Sequence, residues 1–230
     1  MKIDLHVHSE FSPDSQFSLD HIVNLSEQFG LPVICLTDHD SVEGCRKLRE
    51  GYPRQPILPG MELGLAEGDF CVYSLDLDRL RSILGKHVKS VSELDRGSEL
   101  AIVWAHPLSR RFRDSDCDFA EGEGLRRVMD HIDGIEVYNS KMLIHVTLGQ
   151  EPADYADNLI RIAREFGKAT VGSSDAHQFY NYLKCWTEVP PEYASPAGVI
   201  EAIRKGLTTP GFDPLYLKRL TDYLEKSARL

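Results

Sequence analysis

Histidines and acidic residues occur in short clusters at separated points of the chain. His6 and His8 lie two residues apart in an alternating apolar run, so both side chains leave the same face of a predicted strand. Asp175 and His177 repeat this spacing near the other end of the chain. Imidazole and carboxylate groups are ligands that Zn²⁺, Mn²⁺ and Fe²⁺ take in proteins. The two pairs therefore indicate a metal centre assembled from remote segments.

Three more polar groups follow predicted strands in the same way. Asp38-His39-Asp40 comes after one strand, Glu62 ends the next, and His106 follows a third. In a β/α barrel the carboxyl ends of the strands meet at one face, where active sites are found. Together the clusters supply more ligands than one tetrahedral ion uses, so we predict two or three divalent ions (Zn, Mn or Fe) per chain. Such ions lower the pKa of a shared water and neutralise charge on a phosphoryl group.

Strand-like and helix-like segments alternate along most of the chain and must position these clusters. About seven strand-then-helix units follow one another without a long linker or a low-complexity tract. This order predicts an α/β fold with a parallel sheet, either closed as a barrel or open with helices on both faces. A hairpin is predicted to turn at 67–69, and Ser18 is placed to cap a helix over 18–29. We expect residues 1–230 to form one domain.

The composition is that of an ordinary globular protein and disfavours several classes of partner. Of the 230 residues, 42% are hydrophobic and 27% charged, so the chain can bury a core without disulfides or a structural metal. Lysine and arginine number 26 against 36 aspartates and glutamates, which gives a net charge of −10. Extended nucleic acid and anionic membranes bind clustered positive charge, so both are disfavoured. A small phosphorylated substrate is compatible with this charge.

The cysteine pattern and the apolar stretches favour a cytoplasmic protein. The first residues lack the long apolar segment of a signal peptide, and apolar stretches such as 101–105 are too short to cross a bilayer. The five cysteines form no C-x-x-C pair, and an odd number fits a reducing compartment. Nothing in the sequence indicates the oligomeric state.

Five short motifs occur in an order that is specific for one family. They are D-L-H-V-H-S, L-T-D-H-D, P-G-M-E, A-H-P and G-S-S-D-A-H, and they run from residue 4 to residue 177. In this order they resemble the PHP superfamily, named for polymerase and histidinol phosphatase. The resemblance implies a distorted (β/α)7 TIM-like barrel with a di- or trinuclear metal centre that hydrolyses phosphoesters.

The resemblance also implies a set of metal ligands. They are His6, His8, Asp14, His39, Glu62, His106, Asp175 and His177. Glu62 would bridge the ion bound by the first histidine pair to a second ion held by His106. Asp14 would complete a third site with His39 and His177.

Two aspartates within the motifs are given supporting roles by the same resemblance. Asp4 and Asp38 would orient imidazoles, a role that such sites nearly always fill, and Asp38 is also the candidate general acid. The residues themselves leave alternatives open, because Asp38 and His39 could instead cap the helix predicted to begin near Ser41. Asp14 follows a proline, and a plain turn is the alternative for it.

One position departs from the family pattern. Related sequences often carry a further histidine on the strand after Glu62, where this chain has Cys71. A thiolate there could bind a metal ion and would favour the softer Zn²⁺. The alternative is a buried core thiol, which would leave the second metal site weaker.

Substrate contacts are predicted from two regions. Arg110 and Arg111 follow His106 by four and five residues, and a guanidinium fork matches phosphate oxygens. Ion pairs with the aspartates of the same loop are the alternative. By the resemblance, Asn139 would line the pocket, while Glu136 would begin inside the strand.

The leading hypothesis is a metal-dependent phosphoesterase that hydrolyses a small phosphorylated substrate through a metal-activated hydroxide. A 3'-5' exonuclease, or a phosphodiesterase acting on short oligonucleotides or nucleotides, is the first alternative. It ranks lower because no basic stripe with interleaved aromatic residues occurs. The second alternative is a non-catalytic partner module stabilised by metal, and the nearly complete ligand set counts against it.

Overall fold

The computed structural model describes residues 1–95, 97, 99–107, 122–149 and 154–227. Its strands are β1 (Lys2–Ile3), β2 (Ile34–Leu36), β3 (Ile57–Leu65), β4 (Gly68–Ser74), β5 (Leu100–Ala105), β6 (Gly134–Asn139), β7 (Ala169–Ser173), β8 (Cys185–Glu188) and β9 (Thr209–Phe212). Its helices are α1 (Leu19–Gln28), α2 (Glu43–Gly51), α3 (Leu77–Gly85), α4 (Gly122–His131), α5 (Ser140–Thr147), α6 (Tyr155–Glu165), α7 (Pro196–Lys205) and α8 (Pro214–Ser227). Within the described ranges, no helix has the length and apolar character of a membrane span. The predicted α/β class is confirmed.

Six strands form one mixed sheet in the order β2-β3-β4-β5-β6-β7. β4 is antiparallel to both neighbours, whereas the other paired strands are parallel. The hairpin predicted at 67–69 is β3–β4, and Gly68 turns there with a φ of 131°, a region that favours glycine. Because every strand of this sheet except β4 points the same way, the carboxyl ends of the parallel strands meet at one edge. This is the edge at which the sequence predicts that the histidines and acidic residues come together.

The segment after β1 connects the two edges of this curled sheet. Val7 forms a parallel bridge with Ala176 beyond β7, and its carbonyl accepts the backbone N–H of Thr37 beyond β2. β1 itself pairs with β8, which pairs with β9 in a separate antiparallel sheet. The predicted (β/α)7 TIM-like barrel is therefore not confirmed as a closed barrel, since the described residues form a curled six-stranded mixed sheet flanked by helices.

The pairing of β1 with β8 ends just before Asp4, whose carboxylate accepts two backbone hydrogen bonds. Its Oδ1 accepts the N–H of Ser174 and its Oδ2 accepts the N–H of Leu183, both at 2.9 Å. These backbone donors are satisfied by a side chain and need no strand partner. The first of the two bonds spans 170 residues of sequence, so the N-terminal segment is tied directly to the loop after β7.

Helix starts agree with the predicted caps, with one shift. Ser18 caps α1, where its hydroxyl accepts the N–H of His21 at 3.3 Å. α2 begins at Glu43, two residues later than predicted, because the Ser41 hydroxyl accepts the N–H of Glu43 in a turn before the helix. The N-cap residue Val42 makes no side-chain cap bond, and the Asp38 carboxylate bonds Ser9 and Ser12 instead, so the alternative role of Asp38 as the cap of α2 is wrong.

The two faces of the sheet carry separate apolar clusters. Along β5, Ala101, Val103 and Ala105 belong to an inner cluster that also contains Leu5, Leu58 and Cys71, while Ile102 and Trp104 belong to an outer cluster with residues of α3 and α4. Along β3, Leu58 packs inside and Met61 and Leu63 pack outside. Since side chains alternate along a strand, Glu62 lies on the inner face at the edge where the clusters converge.

Candidate metal centre

Glu62 lies in the middle of a group of imidazoles. Its Oε2 is 3.3 Å from His6 Nε2, 3.2 Å from His8 Nε2 and 3.0 Å from His39 Nδ1. Its Oε1 is 3.1 Å from His106 Nε2. The residue is 1% exposed. One buried carboxylate therefore contacts four of the predicted histidine ligands, which is the arrangement expected of a bridging ligand.

A second buried carboxylate, Asp175, follows β7. Its Oδ1 is 3.3 Å from His8 Nε2 and 3.6 Å from His6 Nε2, and these two Nε2 atoms are 3.0 Å apart. Asp175 has a φ of 53°, which residues other than glycine rarely adopt. Such a backbone persists only where its surroundings hold it, and it occurs mostly at functional sites.

The remaining predicted ligands lie on the solvent side of this pair. Asp14 Oδ2 is 3.1 Å from His177 Nε2 and 3.5 Å from His39 Nε2. The ring of His8 lies 4.3 Å from the ring of His39 and 4.1 Å from that of His177, between centroids. The side chain of Asp14 is 53% exposed, so this part of the cluster is open to solvent.

Three sets of side chains bring potential ligand atoms within 4.8 Å of one another among the described residues. The inner groups are His6, His8 and Asp175, and His6, Glu62 and His106; the outer group is His8, His39 and His177. With Asp14 beside the outer group, the structure places all eight predicted ligands together.

Hydrogen bonds orient two of these imidazoles. His6 Nδ1 is 3.1 Å from Glu136 Oε1, and His177 Nδ1 is 3.0 Å from the carbonyl oxygen of Asp175. Both partners are acceptors, so each Nδ1 carries a proton and donates. The lone pair of each Nε2 therefore points into the cluster, which is the tautomer that a metal-binding histidine needs.

The donor atoms of the cluster fit divalent cations. Glu62 Oε2 is buried and receives no hydrogen bond in the described part of the chain, although three imidazole nitrogens surround it. Neutral imidazoles whose lone pairs face a carboxylate oxygen over about 3 Å repel it, so a positive charge, either a proton on a ring or a metal ion, is needed between them. Nitrogen and oxygen donors of this kind suit zinc, manganese and iron.

Electrostatics in the cluster also favour bound cations. Burial opposes ionisation of Glu62, but the imidazoles of His6, His106 and His39 outweigh it and hold the pKa of this carboxyl well below its usual range. The pKa of Asp175 is lowered in the same way. Burial lowers the pKa of His106, yet the Glu62 carboxylate outweighs it and raises that pKa to about 9. Without metal ions the cluster therefore retains protons, which bound metal would displace.

Raising the pH is expected to increase the stabilisation that metal ions provide. The pKa of His106 is raised from 6.5 to about 9, so in the metal-free protein its pairing with Glu62 stabilises fully below pH 6.5 and is lost as the pH rises through 9. Mn²⁺ competes with the same proton, so its affinity rises over this window. Calorimetry should show a larger Mn²⁺-induced increase in Tm near pH 9 than near pH 6.5, and equal increases would contradict the assignment of His106.

Glu136 on β6 supports two ligands, and the sequence did not assign it this role. It is 1% exposed, and besides contacting His6 it accepts the backbone N–H of His106 at 2.7 Å on Oε2. Ser173 and Asn139 donate to the same carboxylate. An acidic residue inside an otherwise buried strand was the available signal, because a carboxylate there must find partners.

Asn139 was predicted to line the pocket, and it lies at the edge of the cluster. Its amide group donates to Glu136 Oε2 at 2.9 Å, and its Nδ2 is 3.5 Å from Asp175 Oδ2. Its Oδ1 accepts the N–H groups of Lys141 and Met142 and so caps α5. Direct contact with substrate stays a prediction for this residue.

Asp38 and Asp4 contact the backbone and serines rather than imidazole rings. Asp38 Oδ1 accepts the N–H of Ser9 at 2.6 Å and the hydroxyl of Ser12 at 3.0 Å, and burial raises the pKa of this carboxyl. Asp4 holds the backbone donors described above, and burial raises its pKa to about 6. Asp38 therefore reaches His8 only through Ser12, and its role as general acid stays a prediction.

The structure favours the core alternative for Cys71. The residue packs in the inner cluster and is absent from the three ligand groups of the described residues. In the metal-free protein, burial raises the pKa of the thiol to about 11 and the neighbouring imidazole of His6 opposes this rise, so metal binding by Cys71 stays a prediction. Arg110 and Arg111, predicted to clamp phosphate, lie outside the described residues, and their role stays a prediction.

Comparison with known families gives one match across most of the chain. The family model for the PHP domain matches residues 4–188. This range includes all eight predicted ligands and Glu136. The similarity therefore extends over the whole metal centre.

Individual relatives are more distant. An uncharacterized protein of Methanocaldococcus jannaschii is 26% identical over 154 residues, which are 61% of this chain and 82% of that protein. PsfC from Pseudomonas syringae aligns over 99% of this chain and 98% of its own, with 20% identity and a TM-score of 0.60. A two-domain protein from Bacteroides vulgatus, containing a predicted PHP-like metal-dependent phosphoesterase, aligns over 97% of this chain and 69% of its own, with 19% identity and a TM-score of 0.66. At such identities these two structures support the fold alone.

Proposed function

This chain belongs to the PHP domain family, and from that premise we propose that it hydrolyses a phosphoester bond in a small phosphorylated substrate with the help of divalent metal ions. The observation that carries the proposal is a Glu62 oxygen with three imidazole nitrogens around it and no hydrogen bond from the described residues. A buried anion in this setting is stabilised by cations.

The inner and outer groups are the residues that would hold the ions. When bound, the ions would lower the pKa of a water and neutralise phosphoryl charge. The chain's own contribution is orientation, because Glu136 fixes the ring of His6 and the backbone of His106. The buried side of the cluster is closed by this carboxylate, so substrate would approach past the more exposed Asp14 and His39.

The surface charge favours a small substrate over a polymer. The net charge of the chain is −10, and Asp14 and Asp40 are exposed beside the outer group. Long polyanions would be repelled here, whereas a single phosphoryl group could be held by the ions. Short oligonucleotides and nucleotides remain the second class to be tested.

The test uses metal-stripped protein reloaded with Zn²⁺, Mn²⁺ or Fe²⁺ and a panel of phosphomonoesters, phosphodiesters and short labelled oligonucleotides. We expect metal-dependent release of phosphate or alcohol from at least one small ester, and loss of this activity in His39→Ala. The matched control is His21→Ala, because His21 is exposed on α1 and lies outside the ligand groups.

Two results would contradict the proposal. One is a fully loaded protein that turns over no member of the panel. The other is a His39→Ala variant whose only change is in thermal stability, which would favour a non-catalytic metal-stabilised module.

A further inference from the structure

Ser12 occupies a position between two ligands of the outer group. The residue is 3% exposed and lies in the loop that follows His8. Its Oγ is 3.1 Å from His8 Nδ1, 3.0 Å from the backbone nitrogen of His39 and 3.0 Å from Asp38 Oδ1. One hydroxyl therefore contacts two predicted ligands that are remote in sequence.

The capacity of a hydroxyl group fixes the direction of these bonds. A serine has one proton to donate and two lone pairs that accept. The proton goes to the Asp38 carboxylate, and one lone pair accepts the N–H of His39. The remaining contact must then be a bond donated by His8 Nδ1, which leaves its Nε2 lone pair directed at Glu62 and Asp175.

Asp38 is itself held firmly enough to fix the serine. The N–H and the hydroxyl of Ser9 both donate to it. Gly44 at the start of α2 passes so close that an added Cβ would lie 2.2 Å from Asp38 Oδ2. Glycine at this position leaves room for the carboxylate to be enclosed, so the acceptor for the Ser12 proton has little freedom to move.

We propose that Ser12 is a positioning residue for the outer group. Its hydroxyl sets the tautomer of His8 and anchors the backbone of His39, and in this way it raises the affinity of the outer group for its ion. The inference goes beyond the proposed reaction, because it requires only that metal ions bind, and its failure would leave the test of hydrolysis unaffected.

The experiment compares Ser12→Thr with Ser12→Val, whose side chains differ only by a hydroxyl in place of a methyl group, and adds Ser12→Ala. Ser12→Thr keeps the hydroxyl, whereas Ser12→Val has the same shape without it, and Ser12→Ala removes it with less volume. Affinities for Zn²⁺ alone and Mn²⁺ alone are measured by competition with a chromophoric chelator. We expect the valine and alanine variants to bind one ion about 10- to 100-fold more weakly, and the threonine variant to stay close to wild type.

A second readout does not depend on metal. In metal-free, isotope-labelled protein at alkaline pH, where the imidazole of His8 is neutral, nitrogen NMR distinguishes its two tautomers. The wild type and Ser12→Thr should carry the proton on Nδ1, and Ser12→Val should lose this preference. A merely structural role of Ser12 would not change the tautomer while leaving the fold intact.

Ser26→Ala is the matched control, because Ser26 is buried on α1, its hydroxyl bonds the Ile22 carbonyl and Tyr182, and it lies outside the ligand groups. It should lose stability but keep both the metal affinity and the His8 tautomer. Equal metal affinity in the threonine and valine variants would overturn the proposal. So would equal weakening in Ser26→Ala, or a His8 ring that keeps its Nδ1 proton without the hydroxyl.

Discussion

Glu62→Gln is expected to remove metal from the inner groups and to lower kcat/KM by about a thousandfold or more, since a lost bridging carboxylate should cost more than the 10- to 100-fold of a supporting partner. The carboxylate contacts His6, His8 and His39 through one oxygen and His106 through the other. Glutamine has nearly the same shape but no charge, and its amide would donate to an imidazole lone pair instead of sharing a cation. The measurements are the metal content after dialysis and the activity on the best substrate of the panel.

Metal-free stability separates this effect from misfolding. Removing one partner of a buried charge pair is destabilising, so the metal-free Glu62→Gln protein should have a lower Tm than wild type at neutral pH, while a single cooperative transition shows that it still folds. Glu123→Gln is the matched control, because Glu123 is exposed on α4 in a pair with Arg127, and such surface pairs contribute little. Full metal content in Glu62→Gln would refute the bridging role.

Glu136→Gln is expected to weaken metal binding by about 10- to 100-fold, the usual cost of losing a partner that orients a ligand. The two carboxylate oxygens accept from His6 on one side and from the backbone of His106 on the other. An amide has one oxygen, so its NH₂ group must face one of these donors and leave it unpaired. The metal affinity, measured by chelator competition, and kcat/KM should fall together, because both inner groups contain His6.

Two further variants test whether the bonds or the charge matter. Glu136→Asp keeps the charge but is one methylene shorter, so it should also bind metal weakly if the geometry is decisive. Glu192→Gln changes an exposed glutamate and should behave like wild type. Wild-type affinity in Glu136→Gln would show that His6 and His106 do not need this carboxylate.

The location of the ligands could be predicted because it depends on local rules. Side chains two residues apart share one face of an extended segment, which predicts that His6 and His8 act together. Strand ends meet at one edge of a parallel sheet, which predicts that Glu62 and His106 come close. The structure brings these side chains into contact.

The role of Glu136 in positioning ligands could not be predicted, because it depends on an irregularity of β6. In a regular strand Glu136 and Asn139, three apart, would point to opposite faces. The β6–β7 register shifts between Glu136 and Tyr138, and this irregularity brings the two side chains to the same side, where they are hydrogen bonded. A bulge of this kind depends on the neighbouring strand, so the sequence signals a buried acid at this position but not which ligands it contacts.

The strand pairing of the N-terminal segment could also not be predicted from the local sequence pattern. Alternation predicted a strand that includes His6 and His8, but β1 ends at Ile3, and the carboxylate of the next residue, Asp4, accepts backbone N–H groups from remote loops. Which donors a buried carboxylate meets is decided by the tertiary fold. Whether the sheet closes into a barrel could therefore not be derived from one sequence.

The bond between Asp4 and Ser174 has a consequence for biosynthesis. Its partners are 170 residues apart, so the histidine pair emerges from the ribosome long before the carboxylate that completes its coordination. Contacts between distant parts of a chain form late, since the loop between them must first be ordered. Early in translation the nascent chain can offer a cation only an incomplete set of donors, so the full set of predicted ligands is assembled only after the segment around Asp175 has been synthesised.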